Sequence, residues 1–167
     1  MTNRGLILSP QGDITLAART VDQAGVLAAS TSVDSRGTIH LNGVGAKAAV
    51  TLRSGAVSAI LVDADNATAL DGQRDNLMPP SVDTTGTLAQ TDRNRRELSL
   101  VQIDSGGTVD FQRDSLTLAT GGQIAVKAAG RSLVRDGAQL DVAGAIGVAV
   151  SVESNTVSYT HLTLPTK

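Results

Sequence analysis

Few residues in this chain have the type and spacing to do chemistry. His40 is one of two histidines. In Thr38-Ile-His-Leu41 it alternates with Ile39 and Leu41, so in a strand it faces solvent while they face inward. A Ser-His-Asp triad needs that imidazole beside a partner, so a surface histidine is the expectation. Asp63-Ala-Asp-Asn-Ala-Thr-Ala-Leu-Asp-Gly72 begins like a calcium loop. Counted from Asp63, the fifth, sixth and twelfth positions are Ala67, Thr68 and Arg74, where an EF-hand needs an oxygen ligand, Gly and Glu. The motif fails, leaving only an irregular carboxylate cluster. Gly43-Val-Gly-Ala-Lys-Ala48 has the G-x-G-x-x-A form. The strand-like Ala49-Val-Thr-Leu52 follows it, where a dinucleotide site needs a helix, so it reads as a small-residue turn. Arg93-Asn-Arg-Arg96 is a short basic cluster with no aromatic neighbour on which a base could stack. Asp110 and Asp141 point outward but on different faces, so they do not form the facing carboxylates of a glycosidase. No catalytic, cofactor-binding or metal-ligating residue is assigned from the sequence.

The elements that carry these residues are short strands. Between Gly107 and Val152 the chain divides into Thr108–Gln112, Ser115–Ala119, Gln123–Lys127, Arg131–Arg135, Gln139–Ala143 and Gly147–Val152. Most alternate apolar with polar or small residues, and Gly or Asp separates them. Leu116 and Leu140, Ile124 and Val148, and Val109 and Leu133 each lie 24 residues apart. Leu118 with Val142 and Val126 with Val150 repeat that spacing. Three strands returning after about 24 residues predict an all-β chain folded as a right-handed parallel β-helix, a solenoid with like residues stacked inside. The third face is imperfect, because Phe111 falls opposite Arg135, and a one-residue bulge or a corner is expected there. A sandwich of short antiparallel strands is the alternative.

The N-terminal part repeats the pattern less regularly. Gly12-Asp-Ile-Thr-Leu-Ala17 recurs as Gly37-Thr-Ile-His-Leu41, with Ile14 and Ile39 separated by 25 residues. Val21, Val26-Leu27 and Val33 mark intermediate strands. The expected organisation is β-helix rungs over 1–61, a loop excursion over 62–97, regular rungs over 98–156 and a non-native tail over 157–167. Pro79-Pro80 cannot donate to a ladder and argues against an inner strand in the excursion. Ala67–Leu77 is a candidate short helix. Val157-Ser-Tyr-Thr-His-Leu-Thr-Leu-Pro-Thr166 reads as the translation of a transposon-type sequencing adapter and is set aside. The chain is therefore expected to be a fragment that continues beyond both ends. About six rungs at ~4.8 Å would make a rod near 30 Å long.

Composition narrows the function classes. Of 167 residues, 41% are hydrophobic but only 1% aromatic, with 17 glycines. Ala, Val, Leu and Ile in ladders suit a narrow, regular interior. A net charge of −2 offers no basic face for nucleic acid. Cysteine is absent, which removes disulfides and thiolate chemistry. No apolar run is long enough to span a bilayer as a helix, and Met1-Thr-Asn-Arg-Gly5 does not open a signal peptide.

Gly5-Leu-Ile-Leu-Ser-Pro-Gln-Gly-Asp-Ile-Thr-Leu-Ala17, Gly25-Val-Leu-Ala28, Arg36-Gly-Thr-Ile-His-Leu41, Ala69-Leu-Asp-Gly-Gln-Arg-Asp75, Gly107-Thr-Val-Asp-Phe-Gln112, Leu116-Thr-Leu-Ala-Thr-Gly-Gly122 and Arg131-Ser-Leu-Val-Arg-Asp-Gly137 resemble the filamentous-haemagglutinin-type exoproteins. The resemblance covers nearly all of Gly5–Asn155 and places it in the rod that follows the secretion domain, since no Asn-Pro-Asn-Gly-Ile motif is present. It implies a large two-partner-secreted protein at the surface of a Gram-negative bacterium. Such proteins cross the outer membrane through a barrel transporter and serve as adhesins toward host or bacterial glycans or proteins, without inserting in the membrane. No catalytic residue, cofactor or metal is carried over. Two other readings stay open, the stalk of a toxin-delivery exoprotein and a polysaccharide-degrading β-helix enzyme. The second would need grouped carboxylates with Arg or Lys on one outer face.

Overall fold

The computed structural model describes residues 1–10, 12–31, 37–62 and 99–144. The candidate calcium loop at 63–72, the candidate helix at 67–77, the basic cluster at 93–96, nearly all of the expected excursion, the strand at 147–152 and the tail at 157–167 lie outside those residues, as does Val33.

The described chain is all β, with fourteen strands and no helix. They are β1 (Thr2–Asn3), β2 (Leu6–Ser9), β3 (Asp13–Ala18), β4 (Thr20–Gln23), β5 (Val26–Thr31), β6 (Thr38–Gly43), β7 (Ala49–Leu52), β8 (Val57–Val62), β9 (Leu100–Ser105), β10 (Thr108–Phe111), β11 (Leu116–Ala119), β12 (Gln123–Ala128), β13 (Arg131–Val134) and β14 (Gln139–Asp141). Consecutive strands never pair. Each pairs in parallel with the strand three places on, giving three sheets: β1-β4-β7-β10-β13 (sheet A), β2-β5-β8-β11-β14 (sheet B) and β3-β6-β9-β12 (sheet C). Each of the first four circuits adds one strand to each sheet, and the fifth adds β13 and β14 to sheets A and B, which is consistent with a β-helix or solenoid. The antiparallel sandwich is excluded for these residues, because every ladder is parallel.

One core serves all three sheets. Val21, Val50, Val109 and Phe111 come from sheet A, Leu27, Ile60 and Ala119 from sheet B, and Ile14, Ile39, Val101 and Ile103 from sheet C. Sheet C stacks as expected, with Ile14 beside Ile39 and Leu16 beside Leu41. Ile124 and Val126 continue those columns beneath Val101 and Ile103. Each such aliphatic side chain withdrawn from water contributes roughly 1.5–3 kcal/mol.

The spacing of the regular circuits is 23, not 24. Val109 pairs with Ser132 and Phe111 with Val134, while Leu116 pairs with Gln139, and Leu118 with Asp141 rather than Val142. The equivalences of Val109 with Leu133 and Leu116 with Leu140 are each one residue out. With 23 residues per circuit Phe111 meets Val134 rather than Arg135, and no bulge is needed. Val148 and Val150 lie outside the described residues.

That one-residue change reverses the faces of sheet B. Thr117 and Ala119 are fully buried, whereas Leu116 and Leu118 are only part-buried and point outward. The corner from sheet A to sheet B sets this phase. Arg53 to Ala56, Gln112 to Ser115 and Arg135 to Ala138 each close a turn in which the last amide donates to the first carbonyl, at 2.9, 3.1 and 3.0 Å. The third residue of each turn has positive φ: Gly55 at 71°, Asp114 at 57° and Gly137 at 76°. Gly and Asp tolerate that backbone region better than other residues. Ala56 and Ser115 end the turn fully inside. The next residue, Val57 or Leu116, must therefore turn out. Inside, Ser58, Ser115 and Thr117 bury hydroxyls that have no hydrogen-bond partner among the described residues. Their small volume is matched in the fourth circuit by Phe111, the largest of the fully buried side chains.

Candidate functional site

The candidate site is the outer surface, because the inside is packed. Its three faces differ in chemistry.

Sheet C is polar outside. Thr15, His40 and Gln102 form one outward row, and Ala17, Asn42, Asp104 and Lys127 another. His40 stands outward and half-buried between buried Ile39 and Leu41, as its alternation predicts. Thr38 donates to Asp13 at 2.6 Å across neighbouring strands. Gly43–Ala48 ends β6 and turns into β7; no helix opens there, so the G-x-G-x-x-A form belongs to a corner. The corner that follows β9 is packed against it, since a Cβ on Gly107 would sit 2.3 Å from the Ala48 carbonyl oxygen.

Sheet A carries charge outside, in a diagonal that crosses four circuits. Asp22 in β4 accepts two hydrogen bonds from Arg53, which follows β7, at 2.5 and 3.1 Å. Asp110 in β10 accepts two from Arg135, which follows β13, at 2.7 and 2.8 Å. The geometry repeats because each Arg lies two residues past its Asp's partner in the next strand: Asp22 pairs with Thr51, and Asp110 with Leu133. Arg53 also lowers the pKa of Asp110 through its charge, so the series runs Asp, Arg, Asp, Arg. Hydrogen bonds from Arg135 hold the Asp110 carboxyl below the ordinary carboxylate range, against the opposing effect of burial. A glycosidase acid needs the reverse, a carboxyl whose pKa is raised. These forks fit a clamp between circuits better than a reacting pair.

Sheet B is apolar outside over its first four strands. Leu6, Val26, Val57 and Leu116 make one outward row, which ends in Gln139, and Leu8, Ala28, Ala59 and Leu118 the next, which ends in Asp141. Leu61 extends the surface past Ala59.

Asp110 and Asp141 lie on different sheets, A and B, as the sequence reading had them. The Asp110–Arg135 fork was missed. It is visible only with the 23-residue register, which places Arg135 diagonally past Asp110. Among the described residues no group of three or more His, Cys, Asp or Glu could hold a metal ion. No helix among them is long and apolar enough to cross a membrane.

No protein-family model matches the chain, and comparison with curated proteins and with solved structures finds no match.

Proposed function

We propose that this chain is a segment of a closed, right-handed β-helical rod in a secreted, filamentous-haemagglutinin-like adhesin of a Gram-negative bacterial surface. The observation that carries the reading is the cyclic parallel pairing, in which successive circuits lengthen the three sheets in turn. Such a fold grows along one axis at ~4.8 Å per circuit, so reach scales with chain length. The resemblance of Gly5–Asn155 to the rods of those exoproteins supports the same assignment. In this reading the rod holds binding surfaces away from the cell, toward host or bacterial glycans or proteins. Export would use an outer-membrane transporter that recognises another part of the protein.

The test is adhesion. Beads coated with the full chain are applied to epithelial and bacterial cell layers and to a glycan array, with albumin-coated beads as reference. Binding at least several-fold above the reference, and competed by free chain, supports the reading. Binding equal to the reference on every surface defeats the adhesive role. Turnover of an arrayed polysaccharide would move the assignment to a carbohydrate-active enzyme.

A further inference from the structure

We propose that Asp136-Gly137, in the corner between β13 and β14, is a site of spontaneous backbone modification, where a cyclic imide forms and opens to isoaspartate. The inference does not rest on the adhesin reading.

The reaction needs only water. The Gly137 nitrogen attacks the side-chain carboxyl carbon of Asp136, so an N–C bond forms and a C–O bond breaks. The oxygen leaves as water, carrying the amide proton and one more, held by the carboxyl or taken from solvent. Water then opens the imide at either carbonyl. Opening at the side-chain carbonyl restores aspartate. Opening at the main-chain carbonyl leaves the backbone running through Cβ and Cγ, one atom longer. Nothing is oxidised or reduced, and the mass is unchanged.

The attack needs a following amide that is not already bonded, and a small following residue that does not screen it. Among the described residues four Asn or Asp precede Gly or Ser: Asn42-Gly43, Asp104-Ser105, Asp114-Ser115 and Asp136-Gly137. By side-chain chemistry alone Asn42 should react first, because ammonia leaves an amide more readily than hydroxide leaves a carboxylate. The fold reverses that order. Gly43 ends β6 in register with Ser105, and its carbonyl accepts from Gly106 at 3.2 Å. The amide and carbonyl of one strand residue point to the same neighbour, so the Gly43 amide is held by β9. Ser105 is held toward β12 in the same way, its carbonyl accepting from Ala129 at 2.9 Å. The Ser115 amide donates to Gln112 at 3.1 Å to close its own turn. The Gly137 amide lies outside the strands and donates no hydrogen bond among the described residues; the turn is closed by the next amide, from Ala138 to Arg135.

The carboxyl is equally available. The Asp136 side chain is 87% exposed, and Arg113, which donates to it at 3.0 Å, is 67% exposed. An ion pair so open to water holds its partners only weakly. The extra backbone atom falls inside a turn whose closing bond sets Ala138 against the core, so isoaspartate loosens the corner that leads into β14.

The test is ageing of the full chain at neutral pH and body temperature, folded in buffer and unfolded in guanidinium. Electron-transfer fragmentation of its proteolytic peptides distinguishes isoaspartate from aspartate and places each. In the folded chain, isoaspartate at 136 should accumulate several-fold faster than deamidation products at 42. In guanidinium Asn42 should lead instead. Asp136→Asn matches the side-chain chemistry of the two sites, and in the folded chain it should lose ammonia several-fold faster at 136 than at 42. A folded chain in which Asn42 converts first overturns the proposal. So does a residue 136 that stays aspartate when folded while isomerising in guanidinium, or an Asp136→Asn variant that reacts no faster at 136 than at 42.

Discussion

Arg135 reaches back across one circuit and holds both carboxylate oxygens of Asp110, at 2.7 and 2.8 Å. The same fork joins Arg53 to Asp22 two circuits earlier. Because each Arg sits just past the end of its strand, the fork ties one circuit's strand to the next circuit's corner. It therefore resists sliding of one strand along its neighbour as well as separation of the two.

The fork makes a pH prediction. Asp110 titrates below the ordinary carboxylate range, so its folded pKa lies under its unfolded one, about 3.9. Its contribution to stability is therefore complete above the unfolded pKa and disappears as pH falls through the folded value. In Arg135→Ala the Asp110 pKa should rise toward its ordinary position, read by carbon-13 NMR of the carboxyl. The stability deficit of this variant should be largest above about pH 4 and shrink below it, read by urea midpoints across pH.

The corner glycines make a second prediction. Gly137 has φ of 76°, and a Cβ there would lie 2.4 Å from an Asp114 carboxylate oxygen. Gly137→Ala should cost roughly 1–2 kcal/mol or more in chemical denaturation, from the left-handed backbone alone. Asp114→Gly removes a non-glycine side chain from the same backbone region and should stay within about 0.5 kcal/mol of wild type. Equal losses in both variants would contradict the stacked turn.

A third prediction tests the faces of sheet B. Leu27 is fully buried, and Leu8, one circuit earlier and one residue out of phase, is mostly exposed. Leu27→Ala should destabilise by about 2–5 kcal/mol. Leu8→Ala should change stability by no more than about 0.5 kcal/mol. Reversed magnitudes would restore the phase that the 24-residue spacing suggested.

A fourth concerns the Gln23 side-chain amide, which is buried against Asn3. Gln23 is fully buried; it accepts from Asn3 at 2.8 Å and donates to the carbonyls of Gly25 and Val57 at 2.9 and 3.0 Å. Gln23→Ala takes the acceptor from the Asn3 amide and one donor from each carbonyl, and should cost about 1–3 kcal/mol in thermal or denaturant unfolding. Gln23→Leu loses the same hydrogen bonds, so filling the volume alone should not rescue it.

The strands and their order were legible in the sequence because their period of two and their turn residues are local signals. Ile14 over Ile39, and the edges of β7, β10 and β12, came out at or within a residue of expectation. The phase of sheet B was not legible. Both of its faces carry apolar residues, so alternation alone could not say which side was inside. Leu116 and Leu118 looked like core, while the residues that are inside, Ser115 and Thr117, looked like surface. The information lay in the turn at Asp114, whose backbone sends the next residue inward. The candidate surface was legible only in part, because the Asp–Arg diagonal depends on a register one residue away from the one the leucines suggested.

β8 ends at Val62 and β9 begins at Leu100, and β5 with β8 and β6 with β9 keep six-residue registers on either side of that interval. The parallel pairing of the circuits is thus continuous across that point. Each doubling of a flexible inserted loop costs only about 0.6 kcal/mol in closure entropy. The junction is accordingly a natural graft point. A foreign domain whose own ends lie close together could be spliced in there as cargo, and the circuits above and below would hold it without re-threading a single strand.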